Sequence, residues 1–440
     1  MQAESEIVVM KFGGTSVAGS DDIRRAAGRI VGARREGKRV VAVLSARGQT
    51  TDELLGMAYE VSDRPLAREM DMLLSTGERI SCALCAMAIH DMGHNAISLT
   101  GSQAGIVTDS SHTKARILDV RAKRIREALT DDRIVLVAGF QGVSGDSRDV
   151  TTLGRGGSDT TAVAIAAALG AEVCEIYTDV RGVFSADPRL VAEARLLKMV
   201  SFEEMLEMAA SGAKVLQLRA VEYARNNGIP IHCRSSFEEG PGTFVLSEEE
   251  TMERPLVTAV THSEQEARVT LTGVRDEPGI AGRIFGALAE SNVNVDMIIQ
   301  NEPISEDHKA DLSFTVGRED LPTATEVLAG LDLGERILTD ERIGKVSIVG
   351  AGMRSHPGVA AKVFQVLGDN RINIEMISTS PIKISCVIDA ADVPGAVNAL
   401  HQAFELGEDA VRREDPTGDH RPIIEPGGDG GEPGDERDAA

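Results

Sequence analysis

Short apolar runs alternate with helical patterns over residues 1 to about 247. The runs are IVVMKFGG, RVVAVLSA, NAISLTG, RIVLVAGF and VCEIYTDV, with amphipathic or Ala-rich segments between them. Runs of this kind predict a largely parallel sheet that is covered on both faces by helices. Ligands bind at the carboxyl ends of the strands in such sheets, and the polar motifs KFGGTS, SARGQTT and FQGVS follow predicted strands there.

Residues 267 to about 411 contain an internal repeat. The first copy starts at Val269 (VTLTGVRDEPGIAGRIFGALAESNVNVDMIIQ) and the second at Val346 (VSIVGAGMRSHPGVAAKVFQVLGDNRINIEMISTS). Each copy predicts a strand, a Pro-Gly turn, a helix and a strand, followed by a strand, a helix and a strand. Each copy is therefore predicted to be a ferredoxin-like βαββαβ unit, one at 267–342 and one at 343–411.

Two further segments differ in composition. Residues 248–266 are polar with one short apolar patch, and we interpret them as a connector with room for a strand. Residues 412–440 are Gly, Pro, Asp and Glu with almost nothing apolar, which predicts a disordered acidic tail. The predicted fold is thus α/β, with a large domain at 1–247 and two small ferredoxin-like domains.

The charge balance excludes several function classes. The 440 residues include 46 Lys and Arg against 69 Asp and Glu, a formal net charge of −23. A chain this acidic is a poor candidate for binding nucleic acid or an anionic membrane surface. It has no Trp and three Tyr, which argues against stacking platforms for single strands.

The sequence carries no sign of secretion. No uninterrupted apolar run approaches the roughly 20 residues of a membrane span, and the first residues lack the basic and apolar regions of a signal peptide. Five cysteines spread over the chain argue against a disulfide framework and fit a reducing compartment. We therefore expect a cytoplasmic protein.

The first strand ends in a candidate phosphate site. Lys11 is followed by Gly13 and Gly14, whose backbone N–H groups can approach phosphate oxygens closely while the ammonium follows the transferring charge. On the glycine pair alone, a plain turn after an edge strand is the alternative.

Two more polar motifs follow predicted strands. TTLGRGGSDTT at 151–161 opens an Ala-rich helix whose N-terminus favours anions. Asp159 could simply cap that helix, but a cap requires neither three glycines nor Arg155, which suits a carboxylate. In YTDVRGVFSADPR at 177–189, spacing alone leaves nucleotide contact and an ordinary polar loop equally open.

Three other patterns are weaker. GARREGKR at 32–39 resembles a P-loop but ends in Arg and lies between a helix and a strand. Gly350-Ala-Gly352 lacks the third glycine of a dinucleotide fingerprint. Cys82 and Cys85 have CxxC spacing in the middle of a predicted helix, where core packing is expected.

KFGGTSV, STGERIS, TTLGRGGSDTTA, YTDVRGVFSADPR and SGAKVL, in this order and followed by two repeats, resemble the aspartate kinase family over residues 7 to about 410. The resemblance implies an amino-acid kinase fold followed by two ACT domains, which are amino-acid-binding regulatory modules. It implies ATP-dependent phosphorylation of the β-carboxylate of L-aspartate to 4-phospho-L-aspartate, the entry to lysine, threonine and methionine. The arrangement is most similar to members inhibited by lysine and threonine acting together.

The resemblance also implies roles for individual residues. Lys11 and Asp159 would be catalytic, with Lys11 neutralising the transferring group, and no residue is assigned as a metal ligand. Aspartate would be held by Ser45, Thr51, Glu78, Arg155 and Ser158, with Arg155 on the α-carboxylate and Glu78 near the α-amino group. ATP, with Mg²⁺, would contact Lys11, Gly13, Gly14, Thr178, Asp179, Phe184, Asp187, Arg189 and Lys214. Phe184 stands where the family commonly has Tyr, which puts one polar nucleotide contact in doubt.

The chemistry agrees with the residues present. The nucleophile is the substrate's own β-carboxylate, which has an ordinary pKa of about 3.9 and is already ionised at pH 7. No general base is needed, so the absence of a His or Cys dyad from the motifs is expected. Catalysis reduces to positioning and charge neutralisation by Lys11, Mg²⁺ and glycine-loop amides.

The repeats carry a regulatory hypothesis. A helix N-terminus can receive an amino acid's carboxylate, and nearby carboxylates or carbonyls can receive its amine. The candidate effector residues are Asp276, Gly279, Ala281, Asn294, Asp296 and Gln300 in the first copy, and Val359, Ala360, Asn373, Ile374 and Ser380 in the second. The alternative is that Pro-Gly only makes the turn and Asn only caps or bends the strand. Effector sites in this family lie between ACT domains of different chains, so the resemblance implies a homo-oligomer or an assembly with an ACT-only chain.

Two rival functions stay open at this stage. One is an amino-acid kinase that acts on glutamate or a related carboxylate, because the fold and glycine loops permit it. The other is a non-catalytic amino-acid sensor, which the presence of every expected charged site residue disfavours. The sequence leaves open whether lysine and threonine act singly or together, and whether a separate chain starts at Met252.

Overall fold

The computed structural model describes residues 6–248, 256–300, 309–331, 333–356 and 358–407. The predicted tail at 412–440, Met252 and Pro357 of the second Pro-Gly turn lie outside the described residues.

The first domain alternates strands and helices, as its apolar pattern predicts. In chain order its elements are β1 Ile7–Phe12, α1 Ser20–Arg35, β2 Arg39–Leu44, α2 Thr50–Val61, α3 Ala67–Leu74, α4 Thr76–Asp91, β3 Ala96–Leu99, α5 Gly101–Ala104, β4 Ile106–Thr108, β5 Ile117–Val120, α6 Lys123–Thr130, β6 Ile134–Ala138, β7 Gln141–Ser144, β8 Val150–Thr152, α7 Gly157–Leu169, β9 Val173–Thr178, β10 Met199–Ser201, α8 Phe202–Ala210, α9 Leu218–Asn227, β11 Ile231–Ser235 and β12 Thr243–Leu246.

The main sheet has the order β10–β12–β11–β9–β1–β2–β6–β3. In this order the six strands β11, β9, β1, β2, β6 and β3 are parallel to one another, whereas β10 and β12 are antiparallel to them. Its central strands are buried on both faces because one apolar cluster covers each side, around Val9 and Val43 on one and Met10 and Leu44 on the other. The largely parallel sheet between helices is therefore confirmed.

A second, smaller sheet was not predicted. Its order is β5–β4–β7–β8, and its strands are three or four residues long. Strands this short carry little apolar periodicity, and several of their buried residues are polar, among them Thr108, Gln141, Ser144, Thr151 and Thr152. The loop that connects β8 to α7 holds the GRGG motif, so this sheet supports a predicted site.

The segment Ala67–Asp91, which spans α3 and α4, is long and apolar enough for a membrane span by length and composition alone. Half of that apolar window is buried inside the structure. Cys82, Cys85 and Ile89 of α4 pack in the core cluster against the main sheet. The segment thus behaves as a core helix of this domain.

The second half of the chain forms two four-stranded sheets with two helices each. Its elements are β13 Ala259–Ser263, β14 Glu266–Arg275, α10 Ile280–Glu290, β15 Val295–Gln300, β16 Lys309–Gly317, α11 Leu321–Leu331, β17 Arg336–Asp340, β18 Ile343–Val349, α12 Val359–Asp369, β19 Met376–Ser380, β20 Lys383–Asp389 and α13 Val393–Ala403.

The first repeat has the predicted βαββαβ fold. Its sheet order is β15–β16–β14–β17, with every neighbouring pair antiparallel. Ile280, Ile284 and Leu288 recur every four residues along α10 and pack against Val269 and Phe314 of the sheet. That spacing places one apolar face of the helix on the sheet.

The second repeat departs from the prediction in its last strand. Its sheet order is β13–β18–β20–β19, so the edge beside β18 is filled by the strand of the predicted connector. The expected strand after α13 is not formed within the described residues, because the chain there turns back and Gly407 bridges to Ala194 of the first domain. The sheet of the second unit therefore combines strands from 343–411 with β13 from the predicted connector.

The second repeat is also joined directly to the first domain. Buried Glu204 in α8 accepts hydrogen bonds from the Thr258 hydroxyl at 2.6 Å and from the Ala351 backbone N–H at 3.0 Å. The Val260 backbone N–H of β13 donates to the Ser185 carbonyl oxygen at 2.8 Å. His401 of α13 lies 2.9 Å from the Ser185 hydroxyl through its Nε2.

Candidate active site

The polar motifs converge at one edge of the main sheet. Strands β9, β1, β2 and β6 are parallel neighbours, so their carboxyl ends open on the same side. The residues that follow three of these strands stay hydrogen-bonded to the neighbouring strand: Gly13 N–H to the Tyr177 carbonyl at 3.2 Å, Ser45 N–H to that of Phe12 at 3.1 Å, and Gly139 N–H to that of Leu44 at 3.1 Å.

Three glycines allow the loops at this edge to touch. A Cβ atom at Gly14 would lie 2.9 Å from the Ala46 carbonyl oxygen, and one at Gly77 would lie 2.8 Å from the Ala46 Cβ. A Cβ atom at Gly139 would lie 2.7 Å from the Ser158 hydroxyl. Any larger residue would therefore push apart the segments that carry the predicted site residues.

Lys11 and Asp159 form a buried ion pair at this edge. The Nζ and Oδ1 atoms are 2.6 Å apart, and the two residues are 9% and 5% exposed. The Cβ position of Gly13 lies 3.4 Å from the Lys11 Nζ atom. The ammonium is thus placed beside the first glycine loop by a carboxylate from the start of α7.

The second glycine loop needs its glycines for backbone reasons. Gly154 and Gly156 have φ values of +79° and +71°, in the left-handed region that favours glycine. A Cβ atom at Gly156 would also lie 1.9 Å from the Gln217 side chain. Between them Arg155 is exposed at the turn, whereas Ser158 is buried in the first turn of α7.

Glu78 lies in the first turn of α4 and is 3% exposed. Its Oε1 atom accepts a hydrogen bond from the Ala46 N–H at 3.2 Å, and its Oε2 atom has no hydrogen-bond partner among the described residues. Burial raises the pKa of this carboxyl from 4.5 to about 7, against the opposing effect of its backbone hydrogen bonds. A buried oxygen without a partner suits a cationic ligand group.

Ser45 and Thr51 flank the same edge. Ser45 follows β2, and Thr51 is in the first turn of α2; both are half-buried. The Cβ position of Gly77 lies 3.6 Å from the methyl carbon of Thr50, which brings the starts of α2 and α4 together.

The six residues predicted to line the nucleotide site outside the first glycine loop share one cavity of about 620 Å³. They are Thr178, Asp179, Phe184, Asp187, Arg189 and Lys214. The Arg189 guanidinium binds the Asp187 carboxylate, with Nη2 2.6 Å and Nε 3.0 Å from its oxygens, and this lowers the pKa of Asp187. The Arg181 guanidinium lies 5.5 Å from the centre of the Phe184 ring.

One wall of this cavity was missed. Residues from Val260 to Gln265, in and just after β13, line it together with the predicted loop. The only signal in the sequence was the short apolar patch of the connector, which does not say where a strand pairs. The edge strand of the second repeat is thus also a boundary of the cavity.

The weaker motifs take the structural positions expected of them. Cys82 and Cys85 are buried in α4, and burial raises the pKa of the Cys85 thiol to about 12, so core packing is confirmed. GARREGKR spans the end of α1 and the start of β2, and Gly350-Ala-Gly352 follows β18.

The candidate effector residues of the first repeat lie around the start of α10 and on β15. Gly279 precedes α10 with a φ of +95°, which explains the Pro-Gly turn. The Gln300 amide donates to the Asp276 carboxylate at 3.3 Å. Asp296 lies 2.5 Å from the Nζ atom of Lys345 in the second repeat. Ala281 is half-buried and Asn294 is exposed.

In the second repeat the corresponding residues are more scattered. Val359 is buried in the core of the unit, and Ala360 and Ile374 are half-buried beside it. Asn373 is exposed. The Ser380 hydroxyl donates to Glu207 of the first domain at 3.1 Å, so this residue lies at the domain boundary.

Comparison with known proteins agrees with this architecture. Residues 6–235 match the amino acid kinase family, and residues 268–332 and 346–404 each match an ACT domain. The aspartokinase of Mycolicibacterium smegmatis is 57% identical over 408 residues, which are 92% of this chain and 97% of that protein.

Two crystal structures of E. coli aspartokinase III match over most of the chain, each at 27% identity. The complex with aspartate and ADP (R-state) has a TM-score of 0.78 and covers 90% of this chain and 99% of its own. The complex with lysine and aspartate (T-state) has a TM-score of 0.72 and covers 91% of this chain and 100% of its own.

The fold and the matches define an amino-acid kinase with two C-terminal ACT domains. Within that class the chain belongs to the aspartokinase family. The reaction of this family is the phosphorylation of aspartate by ATP, and the family assignment expected from the motifs is confirmed.

Proposed function

We propose that this chain transfers the γ-phosphoryl group of Mg-ATP to the β-carboxylate of L-aspartate, giving ADP and 4-phospho-L-aspartate. The observation that carries the proposal is the buried Lys11–Asp159 pair, 2.6 Å apart at the sheet edge where the glycine loops meet. The nucleophile is already ionised, so the site has to position two anions and neutralise their charge.

Lys11, Gly13 and Gly14 form the phosphoryl end of the proposed site. Asp159 holds the Lys11 ammonium in one place, so little reorganisation is needed when negative charge builds on the transferring group. Gly14 allows its loop to pack against the loop after β2, since a Cβ atom at Gly14 would lie 2.9 Å from the Ala46 carbonyl oxygen. Mg²⁺ bound to ATP needs one or two protein carboxylates at most, and it would add charge neutralisation beside Asp159.

Glu78, Arg155, Ser45, Thr51 and Ser158 form the substrate end. Arg155 can pair with the α-carboxylate in a forked arrangement, which its exposed position on the glycine loop permits. Glu78 offers its Oε2 atom, which has no hydrogen-bond partner in the described part of the chain, to the α-ammonium. Ammonium binding lowers the cost of ionising this buried carboxyl, so substrate and Glu78 charge would stabilise each other.

The cavity of about 620 Å³ is the proposed nucleotide end. Arg189 and Lys214 supply positive charge, and Thr178 and Asp179 supply polar contacts at the end of β9. Phe184 offers an aromatic face without the hydroxyl that Tyr would bring. The cavity suits a nucleotide because it combines apolar walls with a few placed polar groups.

We further propose feedback control through the ACT domains, with lysine, threonine or both as effectors. The binding sites would lie around the α10 and α12 N-termini and strands β15 and β19, in a homo-oligomer or an assembly with an ACT-only chain. We expect the enzyme to act in the cytoplasm, where its substrates and a reducing environment are found.

The test is ADP release from Mg-ATP with aspartate, with glutamate at equal concentration, and with no acceptor. The proposal expects release that requires aspartate and is strongly reduced with glutamate. A higher rate of ADP release with glutamate than with aspartate would favour the rival function, a kinase that acts on glutamate. If no acceptor increases ADP release, the chain is not a kinase of these amino acids. Adding lysine, threonine or both then tests control: loss of rate only with both indicates concerted inhibition.

A further inference from the structure

The carboxylate of Asp71 is fully buried, although the proposed mechanism gives it no role. Asp71 lies in α3 and is 0% exposed. Three groups donate to it: His112 Nδ1, 2.6 Å from Oδ2; the Thr113 backbone N–H, 3.1 and 3.2 Å from the two oxygens; and the Thr152 hydroxyl. Burying a carboxylate without hydrogen-bond donors costs free energy, and these three donors offset that cost for Asp71.

The donors belong to the segments that support Arg155. Thr152 is the last residue of β8, directly before the glycine loop. Thr113 has a φ of 66°, which is rare for a β-branched residue and needs fixing from outside. The Thr113 carbonyl oxygen lies 3.2 Å from the Cβ position of Gly154, the residue before Arg155. Asp71 therefore fixes the backbone on which the Arg155 loop rests.

Gln141 connects strand β8, which leads into the Arg155 loop, to the start of α4. Gln141 in β7 is the cross-strand partner of Thr152. Its Nε2 donates to the Ser75 carbonyl at 2.8 Å, at the junction of α3 and α4, and its Oε1 accepts from Arg79 at 3.3 Å. Glu78 lies between Ser75 and Arg79 on the same first turn of α4. Gln141 and its buried cross-strand partner Thr152 therefore connect the start of α4 to the glycine loop that follows β8.

We propose that Asp71, supported by Gln141, is a positioning residue that fixes Glu78 and Arg155 relative to each other. The inference rests on the proposed function, in which Glu78 faces the α-ammonium of the substrate and Arg155 its α-carboxylate. Fixing both groups fixes the α-carbon, so that only a side-chain carboxylate of aspartate length reaches the phosphoryl group correctly. Asp71 thus contributes to discrimination against glutamate, which is longer by one methylene, without touching substrate.

The test compares Asp71→Asn with the wild-type chain, once the wild type has shown aspartate-dependent ADP release. The expected result is a KM for aspartate that is higher by roughly tenfold and a KM for Mg-ATP within about twofold of the wild-type value. Only aspartate is affected because Glu78 and Arg155 are proposed to bind that substrate and not the nucleotide. The ratio of kcat/KM for glutamate to that for aspartate should rise. Thr152→Val removes one donor to the same carboxylate and should shift the same two quantities in the same direction by less.

Ser385→Ala is the matched control, because Ser385 is a buried hydroxyl bonded to Ser347 at 2.7 Å in the second ACT sheet. It should lower the melting temperature without changing either KM. If Asp71→Asn or, should that variant not fold, Thr152→Val behaves like this control, Asp71 has a structural role only and the inference is wrong. A wild-type chain without aspartate-dependent release would instead contradict the proposed function.

Discussion

The Lys11 ammonium and the Asp159 carboxylate meet 2.6 Å apart, each buried and each from a different motif. Lys11 is the penultimate residue of β1, whereas Asp159 lies in the first turn of α7, so the pair joins the first glycine loop to the second. The same contact that stabilises the domain therefore positions the proposed catalytic charge.

Replacing Lys11 by Met should reduce kcat by two to three orders of magnitude, roughly the loss seen when one preorganised donor to a developing charge is removed. The variant also leaves Asp159 buried without its partner, which destabilises the fold. Lys11→Met combined with Asp159→Asn should recover much of the stability and none of the rate. Steady-state ADP release and thermal unfolding followed by circular dichroism separate the two effects, and near-normal turnover in either variant would contradict the role of Lys11.

Glu78 predicts a pH dependence of substrate use. Because burial raises its pKa to about 7, the carboxylate that should receive the α-ammonium forms only as the pH rises through that value. We expect kcat/KM for aspartate to increase between about pH 6 and pH 8 through this ionisation. Glu78→Gln should give a low and flat profile over this range, whereas an unchanged profile would show that another group titrates.

The same group predicts a stability change of defined sign. The folded state holds the Glu78 proton more tightly than the unfolded state, so its contribution is fully present below pH 4.5 and is lost as the pH rises through about 7. The change amounts to about 3 kcal/mol from the size of the pKa shift. Chemical denaturation at a series of pH values, for wild type and Glu78→Gln, isolates this contribution. The difference in unfolding free energy between the two proteins should change between pH 4.5 and about 7, and it should stay constant across this range if the pKa of Glu78 is not raised.

Ser185 and His401 predict communication between the second ACT domain and the nucleotide cavity. Ser185 follows Phe184, which lines the cavity, and its hydroxyl lies 2.9 Å from the Nε2 atom of buried His401. Ser185→Ala removes this contact and also the hydrogen bond that the Ser185 hydroxyl accepts from the Arg195 backbone N–H at 3.0 Å. At about 1 kcal/mol for each lost hydrogen bond, it should raise the KM for Mg-ATP several-fold and weaken inhibition by effectors. Gln402→Ala, an exposed neighbour on α13, is the control and should change neither. Equal effects of both variants would contradict a specific contact.

The Lys345 ion pairs link the two ACT domains, so we expect the stability of the two domains to be coupled. It is 2% exposed and lies 2.5 Å from both Glu266 and Asp296; although burial opposes its charge, these carboxylates raise its pKa. Lys345→Met leaves half-buried Glu266 without its cation and should cost up to about 3 kcal/mol of unfolding free energy. Adding Glu266→Gln should return part of this loss. Denaturant unfolding of both variants provides the measurement, and additive losses would argue against a coupled pair.

Much of the site follows from the sequence because its parts are local. Lys11 with its glycines and the 178–189 loop each come from one continuous segment, and the parallel topology brings their ends together. Asp71 could not be predicted, since its partners His112 and Thr152 are distant in sequence. Strand β13 could be expected, but its pairing with β18 depends on tertiary contacts that the polar connector does not reveal.

Because β13 pairs with β18 in antiparallel register, Ser263 and Lys345 are cross-strand partners although they are about 80 residues apart in sequence. Everything between them, including the whole first ACT domain, is topologically the loop of a single hairpin. Folding of the first ACT domain brings the ends of this loop together and lowers the entropic cost of closing the edge of the second ACT sheet, a cost that grows only logarithmically with loop length. Replacing residues 266–342 by a two-residue turn would shorten that path and keep the cavity-lining residues Val260 to Gln265 in the chain.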